Sequence, residues 1–243
     1  MTQMNSSGTG VFEDEISPIL ADARRGRPLH FLWVVDASSS MAGEMINALN
    51  AAIRDALPEV RAAAADNPEM QVEMGAIAFS TGAKWLTNGF TPIEQFMWPG
   101  VTAGGAGDMG EAFKLVTEFL GDKMPRRAIP PAIVLLSDGQ PTDEYQPALR
   151  ELLDVPWGKR AVRLAIAIGT DAERQPLEEL VNNTEIPVLS ANSPAELAAW
   201  IRHVFASVTP WHSYPKSEFS EWWPRKPVPD PPPPPDSKPD PVW

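Results

Sequence analysis

Residues 29–41 read Leu-His-Phe-Leu-Trp-Val-Val-Asp-Ala-Ser-Ser-Ser-Met. Leu29–Val35 is apolar at every position but His30. It is too short for an ordinary helix and too uniformly apolar for a strand with one wet face, so it reads as a central strand covered on both sides. Asp36 ends it, and Ser38, Ser39 and Ser40 follow before a helical pattern begins. A strand that passes through a short polar loop into a helix is the opening of a β-α-β unit, and the unit repeats down the chain.

Val72–Phe79, Ala132–Leu136, Val162–Ile168 and Ile186–Leu189 are further apolar runs of strand length. Between them, apolar residues recur at three- and four-residue steps, the mark of a helix with one buried face. Met45, Leu49, Ile53, Leu57 and Val60 form one stripe; Met109, Phe113, Val116 and Leu120 a second; Leu197, Ile201, Val204 and Val208 a third. Weaker helical patterns cover Ala148–Leu153 and Leu177–Val181, and the turn Ser80-Thr81-Gly82 predicts that Ala83–Thr87 folds back as a hairpin on the strand before it. The expected fold class is α/β: a doubly wound, mostly parallel sheet flanked by helices in a three-layer sandwich, with one antiparallel edge strand. Leu29–Val35 and Ala132–Leu136, the most uniformly apolar strands, are expected side by side at its centre.

The alternation ends near Val208. Three regions are expected: an N-terminal extension over 1–27, the α/β domain over 28–208, and a tail over 209–243 rich in proline and tryptophan. The tail holds five consecutive prolines, Pro231–Pro235, and can join neither a ladder nor a helix. It also carries Trp211, Tyr214, Phe219, Trp222, Trp223 and Trp243. Such aromatics either fold back on the domain or form a docking segment, and the sequence leaves both open.

Composition excludes several functions. A formal charge of −12 on 243 residues argues against wrapping nucleic acid or lying on anionic lipid, since both need a basic face. The polar, acidic start over 1–15 does not resemble a secretory leader, and no apolar run is long enough to span a membrane. With no cysteine there is no disulfide framework, no thiolate zinc site and no cysteine nucleophile, which fits the cytoplasm. The three histidines, His30, His203 and His212, lie in unrelated contexts and read as packing residues rather than catalytic bases.

In open α/β sheets, ligands bind beyond the carboxyl ends of the strands, where the strand order reverses. Two acidic loops lie at such ends, Asp36-Ala37-Ser38-Ser39-Ser40 and Ser137-Asp138-Gly139. Each has an ordinary structural explanation: Ser40 suits a helix N-cap, and Asp-Gly suits a turn. Neither explains a carboxylate at the last position of a buried strand facing a second one. Burial and mutual repulsion raise its pKa unless donors or a cation intervene. Carboxylate and hydroxyl oxygens are what magnesium, manganese or calcium prefer.

Asp36-Ala37-Ser38-Ser39-Ser40 resembles the D-x-S-x-S motif of von Willebrand factor A-type domains, and Asp138 looks like that family's later metal-site aspartate. The resemblance covers roughly Leu29 to Val208. It implies a cation held directly by Ser38 and Ser40, with Asp36 and Asp138 touching it or acting through water. Few anionic ligands then contact the metal, which keeps it electrophilic enough to take a carboxylate from a partner protein. The family's third hydroxyl, a threonine, is missing: in Gly105-Ala106-Gly107-Asp108-Met109-Gly110-Glu111-Ala112 its place is taken by Gly107. Water or Asp108 is expected to fill the gap, cation affinity is expected to be modest, and Gly107→Thr is expected to raise it. The same stretch spells G-x-G-x-x-G, but it follows no strand, so it is not a dinucleotide fingerprint. Within the family the chain is similar to the bacterial tellurite-resistance-associated (TerY-like) branch. That likeness rests on loop residues such as Asp108–Phe113 and implies a stress-response or defence setting with a Ser/Thr kinase and a phosphatase as partners.

The leading expectation is therefore a metal-dependent protein-interaction module rather than an enzyme. One alternative is a scaffold whose metal site is vestigial. The other is a phosphatase with Asp36 as nucleophile, which would need a second aspartate where Ser38 stands.

Overall fold

The computed structural model describes residues 27–65, 70–125 and 128–208. The expected extension over 1–27 and the tail over 209–243 fall, except for Arg27, outside the described residues.

Strand β1, Arg27–Asp36, is buried from Leu29 onward. A 3-10 turn, Ser39–Met41, leads to helix α1, Glu44–Ala65. Then come β2 (Met70–Ser80), β3 (Gly82–Trp85), β4 (Thr91–Pro92), α2 (Met109–Asp122) and β5 (Ala132–Ser137). After β5 follow α3 (Tyr145–Asp154), α4 (Pro156–Arg160), β6 (Val162–Ile168), α5 (Gln175–Val181), β7 (Leu189–Ala191) and α6 (Pro194–Val208).

The sheet runs β3-β2-β1-β5-β6-β7, with β4 also on β2. β1 is parallel to both β2 and β5, in a register that sets Trp33 opposite Ala76 and Val134. β3 and β4 pair with β2 antiparallel. Chain order moves outward from β1 to β2, then crosses back to β5 on the other side of β1. Crossovers of parallel strands are right-handed, so reversing direction puts α1 on one face and α2 on the other. α6 packs with α1, and α3 and α4 pack with α2, giving three layers. The mostly parallel α/β sandwich with an antiparallel edge is the fold expected, and β1 and β5 are adjacent at its centre.

Helix α2 buries all four residues of its predicted stripe. In α1 the buried face begins at Ile46 rather than Met45, which is half-buried. The last strand is displaced: Ile186 and Val188 are buried, but pairing starts only at Leu189. Pro187 has no N–H to give a ladder, so the apolar run approaches the sheet before it joins it. No helix among the described residues is long and apolar enough to cross a membrane.

Candidate metal centre

The point of reversed strand order lies between β1 and β5, and both acidic loops leave the sheet there. Asp36, the last residue of β1, is 1% exposed. Its Oδ1 accepts the Ser38 amide at 2.8 Å, and its Oδ2 accepts the Ser137 hydroxyl at 2.6 Å. Burial pushes the Asp36 carboxyl up to about 6. The hydroxyl of Ser137 and the donors of Ser38 pull it down, and the charge of Asp138 adds a smaller upward push. These donors thus fall short of offsetting the loss of water.

The serines converge. Ser38 Oγ and Ser40 Oγ are 2.9 Å apart, Ser38 buried and Ser40 exposed. Ser39, between them, points away: its amide and hydroxyl both donate to the Gly105 carbonyl, at 3.1 and 2.8 Å. That divergence is why only alternate serines of the triplet face one point. Asp138 is buried after β5, with Oδ1 accepting the Gln140 amide at 3.1 Å. It joins the group through Ser137 and through its field on Asp36 rather than through a hydrogen bond to either serine.

Ser137, fully buried, is the member that sequence reading passed over. It donates to Asp36 and accepts the Gly139 amide at 2.9 Å, tying the two acidic loops together. A hydroxyl ending an otherwise aliphatic strand was the only available signal.

The expectation for Gly107 and Asp108 changes. Asp108 is already engaged: Oδ2 takes the Gly82 amide at 2.7 Å and Oδ1 the Thr142 hydroxyl at 3.2 Å. It latches the β2–β3 turn to the loop after β5 and leaves no free oxygen pair to replace a threonine. Gly107 donates its amide to Thr142 Oγ1 at 2.9 Å and accepts the Thr142 amide at 2.9 Å. A Cβ on Gly107 would lie 3.0 Å from the Gln140 carbonyl oxygen. A side chain at this position would start in tight contact with the Asp138 loop, which would have to give by a few tenths of an ångström to admit a threonine. Glycine is there for close approach, not for a positive φ angle.

The two described histidines, His30 and His203, lie elsewhere in the fold. His30, six residues earlier on β1, is buried against Phe90 and Phe119 with Nε2 3.1 Å from a Glu73 carboxylate oxygen. His203 lies on α6 edge-on to Trp200, and His212 lies outside the described residues.

The von Willebrand factor type A domain matches residues 32–199. The chain belongs to that family. Solved structures agree in fold. A von Willebrand factor type A protein from Catenulispora acidiphila is 18% identical, with a TM-score of 0.55 over 74% of this chain and 42% of its own. The pilus adhesin SpaC from Lactobacillus rhamnosus GG, in its open conformation, is 15% identical, with a TM-score of 0.60 over 76% of this chain and 30% of its own. Proximal thread matrix protein 1 from the mussel byssus, described with a zinc-occupied MIDAS motif, is 21% identical, with a TM-score of 0.54 over 74% of this chain and 48% of its own. This von Willebrand factor type A chain thus spans less than half the length of each of those proteins. No curated protein matches its sequence.

Do the residues of this member fit a cation? Among the described residues no group of three or more His, Asp or Glu side chains is placed to hold one. Any ion must lean on hydroxyls. Ser38 and Ser40 hydrogen-bond to each other at 2.9 Å, so both hydroxyls are close enough to reach one small cation. The buried, under-compensated Asp36 is a group that a nearby cation would relieve.

Proposed function

We propose that this von Willebrand factor type A domain is a protein-interaction module whose cation, held by Ser38 and Ser40 with Asp36 and Asp138 behind them, takes a carboxylate from a partner protein. The observation that carries the reading is the convergence of two serine hydroxyls, 2.9 Å apart, above a buried carboxylate. Hydroxyl ligands neutralise little of the ion's charge, so its remaining position favours an anionic group. The likeness to an adhesin supports binding as the task.

Binding without turnover is part of the proposal. Both Asp36 oxygens are occupied by donors, which disfavours nucleophilic attack, and among the described residues no histidine hydrogen-bonds to it as a base. A cytoplasmic location, and a tellurite-resistance-type setting with a Ser/Thr kinase and phosphatase as partners, are finer proposals resting on composition and on the Asp108–Phe113 loop.

Calorimetric titration of magnesium and manganese into the full chain tests the core of it. Wild type should bind one ion. Ser38→Ala should remove the heat while leaving the circular dichroism spectrum unchanged. An absence of binding in wild type would leave a scaffold with a vestigial site. Hydrolysis of p-nitrophenyl phosphate that disappears in Asp36→Asn would replace binding by catalysis.

A further inference from the structure

Beside the candidate centre lies a cavity of about 380 Å³. It begins at Ala37, the residue after Asp36, and is walled by the end of β2, the hairpin Ser80–Lys84 and the loop Gly100–Thr102. That loop runs on to Gly104 and Gly105. The Gly104 amide donates to the Ala37 carbonyl at 2.8 Å, and the Gly105 carbonyl takes both donors of Ser39. One stretch of chain is therefore the wall of the cavity on one side and a support of the serine loop on the other.

The wall is held in place. Asn50 on α1 donates to the Val101 carbonyl at 2.8 Å and accepts the Val101 amide and the Trp98 indole N–H, each at 2.9 Å. A wall fixed before binding spares a ligand the entropy of ordering it. The volume lies at the small end of the range for ligand sites and has room for one or two side chains.

The charge around the cavity is opposite to that of the protein. Lys84 is the only charged residue lining it. The other three described lysines, Lys114, Lys123 and Lys159, each sit on a carboxylate. Lys84 has no carboxylate partner among the described residues, and neither does Arg54, whose Nη2 comes within 4.0 Å of where a side chain on Gly100 would begin. Two exposed cations without carboxylate partners thus lie together at one cavity of a chain whose net charge is −12. Hydroxyls add to them. Ser80, Thr81 and Thr102 line the cavity, and Thr81 Oγ1 accepts the Ala106 amide at 3.1 Å, so its own proton is free to give.

We infer that this cavity is a subsite for an acidic side chain of the partner, so that the segment recognised is an extended acidic peptide carrying two carboxylates. One meets the cation at Ser38 and Ser40, and for that one the inference rests on the function proposed above. The other enters the cavity and meets Lys84 and the three hydroxyls, with Arg54 near the rim at Gly100. Selectivity follows from the pair: a lone carboxylate uses half the site, while a segment with a basic residue in the second position is repelled.

The test uses the full chain, excess manganese and fluorescein-labelled Gly/Ser peptides with one aspartate, or with two separated by one to three residues. Fluorescence anisotropy should show at least one two-acid peptide binding about tenfold or more tighter than the one-acid peptide. Lys84→Glu combined with Arg54→Glu should reduce that peptide to the one-acid level, because both residues are exposed and their reversal leaves the core untouched. If the two-acid peptide binds and the charge reversal does not weaken it, the subsite is overturned while the cation reading stands. If the reversal weakens it but EDTA and Ser38→Ala do not, the subsite stands and the cation reading fails. If no two-acid peptide exceeds the one-acid peptide, the inference is wrong.

Discussion

Burial at the end of β1 holds the Asp36 carboxyl near a pKa of about 6, above the 3.8 of the free side chain. An acid whose pKa rises on folding carries more protons in the folded state between those two values, so folding stability falls as pH rises through that window and stays reduced above it. Two pKa units correspond to about 3 kcal/mol. Asp36→Asn should therefore unfold at higher urea than wild type at pH 7.5 in EDTA, with the gap closing as pH falls toward 4. Saturating manganese should close it as well, by lifting wild type. Asp143 adds a trend of the same sign, since burial raises it too, with one oxygen enclosed and unpartnered. Glu73, held low by its bond to His30, works the other way and loses its contribution as pH falls. Gly107 makes a second residue-scale case. Gly107→Thr should cost about 1–3 kcal/mol by urea unfolding and weaken manganese binding, because its Cβ would crowd the Gln140 carbonyl. Gly121→Ala, on α2 with open space around it, should instead gain roughly 0.5–1 kcal/mol.

At the scale of elements, the least expected device is Arg163. It sits on β6 with no carboxylate partner, and burial lowers its pKa. Its guanidinium donates to the Leu180 carbonyl at 2.9 Å, the Gly158 carbonyl at 2.7 Å and the Ala161 carbonyl at 3.1 Å. Leu180 lies in the last turn of helix α5 and Gly158 in helix α4, so one side chain satisfies carbonyls that the ends of two helices leave open. Neither helix carries a glycine cap of its own; α5 is capped by Asn182 with φ of 47°. Arg163→Met should lower stability by about 2–4 kcal/mol in urea unfolding. Arg163→Lys should recover only part of that, because an ammonium cannot span two helix ends as a planar fork does. Read as sequence, Val162–Ile168 is a strand with one arginine in it; its partners lie on two other elements and were not legible there.

For the whole molecule, the boundary of the domain is a matter of which residues close the core. The family match stops at residue 199, but Ile201, Val204 and Phe205 of α6 are buried, and Phe205 packs on Phe31 of β1 at 5.4 Å between ring centroids. Losing three such side chains at about 2–5 kcal/mol each amounts to about 6–15 kcal/mol, as much as the 5–15 kcal/mol that holds a typical domain together. A fragment of residues 27–199 should therefore fail to fold, while 27–208 should give a cooperative urea transition. A cooperative transition for the shorter fragment would show that α6 is dispensable.

Apolar runs and periodicity sufficed for the strand and helix order, the parallel sheet and the central place of β1 and β5, because burial on two faces demands uninterrupted apolar residues and burial on one face demands a repeat. The motif at Asp36, Ser38 and Ser40 was legible for a similar reason: a strand end, a tight loop and a helix start are local, and their spacing is written in consecutive residues. What only the tertiary structure decided lies between segments far apart in the chain. Ser137 reaches Asp36 across 101 residues, Asp108 is taken up by Gly82 and Thr142, and the Asp138 loop lies close against Gly107. These depend on how closely two loops approach. Side-chain volume and backbone direction in three dimensions set that distance, and no pattern along one dimension encodes it.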